Sequence, residues 1–567
     1  MYCTQIIEQI FINLFRGSLL FKTHTLVCSL QMKNPIRTIL LLILLVAPLV
    51  HCSFPGHNHR PAQTGAPGLL KPEEHAPWQA LMAKMPLHPE KKPLITYPCD
   101  GAVFPPEIAA PTFQWLEPDK TISRWLITFD FKDREAPLYA VSDAPQWTPG
   151  RDTWETIKRN SLAPGCDVAI FGIHTGPPLK LVAKDSIHII TSTDHVDASI
   201  FFRQVPLPFK TDQNSLKQMK WRLGDIGDYN TPPVVMEKMS NCASCHQFSK
   251  DGQLMSMEMN FQGDSGAQLI APIQPDITLN PDHFMTWRDF PKPDLLPHTR
   301  GVFAKLSPNG KYLIGTVNEI AFFALTNDPA YCQLFFPTYG VLAWYSIETQ
   351  TFHSLPGADD TRYVQTDPSW SWDEKYIVFA RTRTRNEFHE DITDIRTRIE
   401  DVDIHVLNRK FPIQFDLYRI AFNQGGGGIP EPLEGASNNG MSNYFARYSP
   451  DNKWIVFTRS KSGIMLQPDS ELFIIPAKGG TPRRMRCNRD RFNSWHSFSP
   501  NGKWMLFSSK TNSLYTEIFL THIDENGMDS PPVCLSRFSE ERYAANVPEF
   551  VNLPANAIKS IRLGSSK

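Results

Sequence analysis

The chain is predicted to be all-β, with an N-terminal β-sandwich of immunoglobulin or fibronectin type followed by a β-propeller of six or seven blades. Two observations carry this. A tight polar turn feeding a strand recurs along the later part of the chain, at spacings of roughly 50 residues or more, which is the period of a four-stranded blade. The region before it is dense in alternating segments rich in β-branched and aromatic residues. Proline (48) outnumbers glycine (31) among the 567 residues, which suits many short strands joined by turns. The apolar fraction of 41% and the 20% of charged residues describe a folded chain rather than a disordered one. With 57 basic against 58 acidic residues there is no excess of positive charge to draw it onto nucleic acid or anionic lipid.

Residues 1–52 read as a signal region. Met32-Lys33-Asn34-Pro35-Ile36-Arg37 is a short basic stretch, and the apolar run Ile39 to Val50 after it has signal-peptide length and is too short to span a bilayer. Met32 is the expected initiator; an unusually long signal region is the alternative. Cys52 then stands where bacterial lipoproteins carry their lipidated cysteine, although His51 replaces the small residue expected just before it. Lipidation of Cys52 and ordinary cleavage nearby both remain open, and both place the protein outside the cytoplasm, in the periplasm or at the outer membrane.

Residues 53–92, rich in Pro, His, Gly and Lys, read as a tether. From 93 to 205, segments such as Thr112–Trp115, Trp125–Phe131 and Val168–Phe171 alternate as strands of the sandwich, with a helical turn at Thr153 to Asn160. The propeller is expected over 206–555. Its repeats are Ser307-Pro308-Asn309-Gly310-Lys311, Ser371-Trp372-Asp373-Glu374-Lys375, Ser449-Pro450-Asp451-Asn452-Lys453 and Ser499-Pro500-Asn501-Gly502-Lys503, with a weaker first copy at Ser249-Lys250-Asp251-Gly252. Pro sets φ at the turn, and Asn, Asp or Gly tolerates the left-handed conformation after it. Segments Arg203–Phe209 and Asn546–Val551 are expected to pair and close the ring, leaving 556–567 as a tail.

Cys242-Ala243-Ser244-Cys245-His246 has the spacing of c-type haem attachment. Two thiols three residues apart on one turn reach both vinyl groups of a porphyrin, and the following imidazole becomes the proximal ligand of the iron. A disulfide between the two cysteines is the main competing reading. A structural zinc needs further ligands at fixed spacing, and no second C-x-x-C appears. The distal ligand is open: Met255, Met257 and Met259 alternate onto one face of the next strand, and Met257 is the candidate among them. His283, Met285 and His298 follow, and a Met-lined core is the structural alternative for each methionine. Gly263-Asp264-Ser265-Gly266 and Gln424 to Gly428 lack the partners of a protease nucleophile or a phosphate loop and read as turn and linker. The remaining cysteines, among them Cys99, Cys166, Cys332, Cys487 and Cys534, are too scattered for a disulfide framework.

The recurrent Ser-Pro-Asp/Asn-Gly-Lys turn resembles that of the TolB-like, WD-repeat-like β-propellers, over roughly residues 206–555. Asn241 to Gly252 looks like the segment of exported TolB-like proteins that carry an embedded CxxCH. The resemblance implies the fold and says little of function. Two functions are expected. The first is an exported c-type cytochrome-like propeller with one covalent haem c, passing electrons to a redox partner or sensing redox state in the cell envelope. The second is a non-catalytic scaffold that binds another envelope protein or a glycan. A haem peroxidase is the enzymatic alternative.

Overall fold

The computed structural model describes residues 69–564, apart from short segments at 86–92, 133–134, 209–212, 240–242, 294–295, 297, 325–333, 385–407, 410–411 and 466. The expected signal region, Cys52 and Cys242 lie outside the described residues.

Among the described residues, six four-stranded antiparallel sheets follow one another as blades. Blade one is built from both ends of the propeller: Ser199–Pro206, Lys220–Gly224 and Val234–Glu237, with the C-terminal Tyr543–Val551 as its inner strand. Blades two to six have inner strands Ala243–Phe248, Val302–Leu306, Tyr363–Trp370, Ser442–Tyr448 and Asn493–Phe498. Neighbouring inner strands touch around the whole circle, the sixth against the first. The expected ring closure is present, with Asn546 opposite Arg203, but the propeller begins at Ser199, so the predicted boundary at 206 falls at the end of a strand.

The recurrent turn is built the same way each time. The serine Oγ accepts from the backbone N–H five residues on and donates to the Asp or Asn two residues on, as Ser449 does with Trp454 (3.0 Å) and Asp451 (2.6 Å). The fourth position is left-handed: Gly252, Gly310, Glu374, Asn452 and Gly502 all have φ between 58° and 72°. Gly or Asn takes that conformation at little cost, whereas Glu374 is held by accepting from Asn309 N at 2.6 Å in the neighbouring turn.

Before the propeller, a three-stranded sheet (Leu94–Tyr97, Phe113–Leu116, Gln146–Trp147) and a five-stranded sheet face each other across one core. Phe113, Trp115, Trp147, Ile127, Phe129 and Ile170 are all buried in it. That core continues without a break into blade six through Trp504, Leu506, Ile518 and Leu520. Polar bonds reinforce the junction: Asp194 to His522 at 2.7 Å, Trp504 Nε1 to Asp194 O at 3.0 Å, and Tyr97 Oη to the backbone of Cys534. The sandwich and the propeller are therefore one body.

Two expectations are corrected. Part of the predicted tether is a helix, His75–Ala83, whose Trp78, Leu81 and Met82 pack on the outer face of the five-stranded sheet beside Tyr139 and Phe171. These side chains lie three and four positions apart, one apolar stripe of a helix. The predicted C-terminal tail contains Ser560–Leu563, paired in parallel with Asp276–Leu279 beside blade two. The chain thus passes the seam of the ring and fastens on its far side. Removing residues 556–567 takes away the buried Ile561 and uncovers Ile277, which are 2% and 5% exposed, and is expected to lower stability by about 3 kcal/mol on the usual value of aliphatic burial. Truncation before Tyr543 deletes an inner strand and is expected to abolish the cooperative thermal transition. Calorimetry on both truncations checks this, and equal melting of all three chains would count against the seam.

Candidate functional site

The inner strands place side chains in a regular alternation counted back from the turn serine. Four residues before it stand Cys245, Phe303, Asp367, Phe445 and Trp495, with Val547 in the same place in blade one. Phe303, Asp367, Phe445, Trp495 and Val547 have φ of 50–57°, which non-glycine residues seldom adopt, and a register shift interrupts the ladder at each of these sites. The bulge turns these side chains inward: the rings of Phe303 in blade three and Phe445 in blade five lie 5.6 Å apart, past the intervening blade four.

Two residues before the serine stand Gln247, Lys305, Ser369, Arg447, Ser497 and Glu549. Three of the side chains at these two positions bond forward to the next blade: Gln247 accepts from Leu306 N at 2.7 Å, Asp367 from Phe445 N at 2.5 Å and Ser497 from Phe550 N at 3.0 Å. Three residues before the serine the side chains point the opposite way, toward the preceding blade. His496 shows this, its Nε2 meeting Val456 O at 2.9 Å.

His246 occupies the same position as His496. The strand register makes Phe201 of blade one the counterpart of Val456, since Phe201 lies opposite Glu549 as Val456 lies opposite Arg447. The His246 ring packs edge-on to Phe201 at 4.7 Å, 1% exposed. The carbonyls of Phe201 and Val547 lie close enough to favour its protonated form, yet neither meets hydrogen-bond geometry, and both ring nitrogens lack a partner. Burial dominates and, aided by Arg203, pushes its pKa down to about 3; burial takes His496 to about 3 as well. The two histidines are wedges between blades.

Haem attachment asks for a different arrangement. Cys245 is half-buried on the axial side of its strand, near Glu258, Lys305, Arg203 and Arg447, while His246 points behind that strand into blade one. A porphyrin bonded to Cys245 has the backbone between it and the imidazole, so these residues as folded do not fit haem c. The expected compact turn is a strand, Ala243–Phe248. Met257 is expected as a distal ligand, and its place in the sheet is close to His246. It lies directly opposite His246 in the ladder, and cross-strand neighbours, with Cβ atoms about 5 Å apart, leave no room for a macrocycle between them. Met255, Met257 and Met259 are at most 2% exposed and belong to the core with Met219, Met236 and Met239. Among the described residues no group of three or more His, Cys, Asp and Glu side chains is placed to hold a metal ion.

What converges instead is a set of charges on the axis. Lys305 of blade three acts electrostatically on Asp367 of blade four, Glu549 of blade one and Cys245 of blade two, and Arg447 of blade five acts on all of these and on His496 of blade six. Only side chains near the axis reach so many blades. Burial raises Asp367 to about 7, raises Glu549 and Glu258, lowers Lys305 and takes the Cys245 thiol up to about 11, so that thiol is no ready nucleophile. Above this set the long hairpin of blade three reaches Ile464 of blade five, where Phe335 exchanges backbone bonds of 3.1 and 3.2 Å. Phe303 and Phe335 meet there at 5.1 Å. Single-motif reading missed these residues; the count back from each turn serine is the signal that marks them.

No family model and no curated protein matches the sequence. Among solved structures, TolB from Acinetobacter baumannii is 12% identical over 68% of this chain and 79% of its own, with a TM-score of 0.38. A TolB protein of Agrobacterium tumefaciens is 13% identical over 60% and 88%, at 0.32. An oligogalacturonate lyase in complex with manganese is 14% identical over 58% and 73%, at 0.32. The propeller rests on the six sheets and their closed circle, not on these similarities.

The buried histidines make the fold acid-sensitive. Their folded pKa lies below the ordinary 6.5, so the stability their neutral rings contribute is present above pH 6.5 and lost as pH falls toward 3. Asp367 has the opposite sign: its raised pKa contributes stability below about 4 that is lost as pH rises through 7. Between pH 7 and 4.5, His246→Gln is expected to lose less melting temperature than the native chain, and Asp367→Asn to lose more. Thermal unfolding at both pH values checks this; parallel changes in all three proteins would contradict the assignments.

Proposed function

We propose that this protein is an exported, non-catalytic propeller scaffold that binds another component of the cell envelope, rather than a cytochrome. One observation carries the choice: His246, the residue a haem needs most, fills the inter-blade slot that His496 fills in blade six. The motif then serves the fold, with His246 wedged against blade one and Cys245 taking the bulge position of blade two. The fusion of sandwich and propeller through one core supports the same reading, because a rigid body presents a fixed surface to a partner. Export rests on the basic-then-apolar pattern from Met32 to Val50, and attachment to the membrane on Cys52.

The test is expression of the mature chain in a bacterial periplasm with an active haem-attachment system. The expected result is an intact mass equal to the polypeptide, with no absorbance in a pyridine haemochrome assay. A mass increase of one haem, lost in Cys245→Ala, would overturn the scaffold reading and restore electron transfer.

A further inference from the structure

We propose that blade four carries a docking site for an extended acidic segment of a partner protein, with Arg381 and Arg383 each taking one carboxylate. This deepens the scaffold reading and rests on it for the existence of a partner. The site lies on three strands that pair in the order Tyr363–Trp370, Tyr376–Arg383 and Asp416–Ala421. Arg381 stands on the middle strand, flanked by Tyr363 and Tyr418 from the strands on either side. Its guanidinium carbon is 3.6 Å from the Tyr363 ring centroid and 4.8 Å from that of Tyr418. The rings attract the cation and fix where it sits, but they take none of its five in-plane N–H donors. Arg381 is 8% exposed, its Nε is buried without a partner, and no hydrogen bond or ion pair of its guanidinium is present among the described residues. A cation taken out of water without an acceptor is costly, so a carboxylate offered edge-on meets a donor already in place.

The chain's own acids nearby are engaged elsewhere. Asp360 is held on both oxygens by Arg362, at 2.7 to 3.1 Å. Asp416 lies directly opposite Arg381 in the ladder, yet it turns to Asn438 N at 2.7 Å, and burial holds its carboxyl above the usual range. Arg383 follows on the same side of the strand, opposite Tyr363 and 5.7 Å from its ring. It is exposed and makes no ion pair among the described residues. Alternate residues of a strand are about 6.6 Å apart, so the two arginines offer donors at the repeat with which an extended segment presents every second side chain. That match favours a protein segment with acids two residues apart over a phosphate, which brings a single anionic centre. Arginine rather than lysine suits the task, because its planar fork receives a carboxylate through two parallel bonds.

The experiment titrates the whole mature protein, by calorimetry at constant ionic strength, with two blocked pentapeptides of threonine and glutamate. One has glutamates at its second and fourth positions, the other at its second and third. Saturable binding is expected, about three-fold tighter for the alternating peptide, the scale of one exposed charge pair. Arg381→Gln is expected to weaken it about ten-fold or more, the scale of a hydrogen bond to a charged group, and the exposed Arg383→Gln about three-fold. Tyr363→Leu keeps both charges but removes a ring that positions Arg381, and weaker binding is expected there too. Lys559→Gln removes an exposed charge beside blade two and is expected to change nothing. If Arg381→Gln does not fold, Arg381→Lys takes its place, keeping the charge without the fork, with weaker binding expected. Failure of both peptides to saturate, equal affinity for the two, equal weakening in Lys559→Gln, or tighter binding of inorganic phosphate in a parallel titration overturns the proposal. Covalent haem on the protein would sink the scaffold reading without touching this titration, and failure here leaves the haem assay to stand by itself.

Discussion

The antiparallel pairing of Tyr543–Val551 with Ser199–Pro206 is the constraint on which the structure depends. Until these segments meet, blade one lacks its inner strand and the circle of inner strands stays open. Joining chain segments this remote costs little more than joining near ones, because closure entropy grows only with the logarithm of the separation, about 0.6 kcal/mol per doubling. What repays it is local: Ile200, Phe201, Phe202 and Val205 become fully buried, as do Ala545 and Val551. Residues after the seam then cross to Asp276–Leu279, so that opening the ring requires two sheets to separate.

The repeat was legible because its chemistry is local. A serine that bonds to its own turn, an Asn or Asp two residues on and a left-handed residue after that require no knowledge of the rest of the chain. The bulges at Phe303, Asp367, Phe445, Trp495 and Val547 have no such signature. Nothing in five different side chains announces a left-handed backbone, which is imposed by the crowding of inner strands at the axis. The helix His75–Ala83 escaped for the reverse reason: its nine residues carry a visible apolar stripe, but helices so short are stable only when packed, and the sheet they pack on lies elsewhere in the sequence.

The pentapeptide Cys242 to His246 reads differently by itself and by its position in the repeat. Read alone, its spacing points to porphyrin. Set beside Trp495-His496-Ser497-Phe498-Ser499, the segment Cys245-His246-Gln247-Phe248-Ser249 is one more inner strand, with His, a polar residue, Phe and Ser in the same order. The same side of the strand cannot serve both thiol and imidazole, because adjacent residues of a strand point to opposite faces. That period-two geometry is what the scaffold proposal rests on.

The same alternation explains why charge gathers on the axis. Side chains facing backward between blades meet a close-packed neighbour and are small or apolar there, as Ala304, Pro368 and Ala446 are, or neutral, as the two histidines are. Side chains facing forward and inward crowd onto the axis of the six blades. The Phe303 and Phe445 rings come within 5.6 Å there, and the half-buried Arg447 and Glu549 keep part of their hydration beside them. The hairpin of blade three, pinned at Ile464, brings Phe335 to within 5.1 Å of Phe303. The alternation of the inner strands thus keeps neutral side chains between the blades and lets Lys305, Arg447 and Glu549 gather on the axial side.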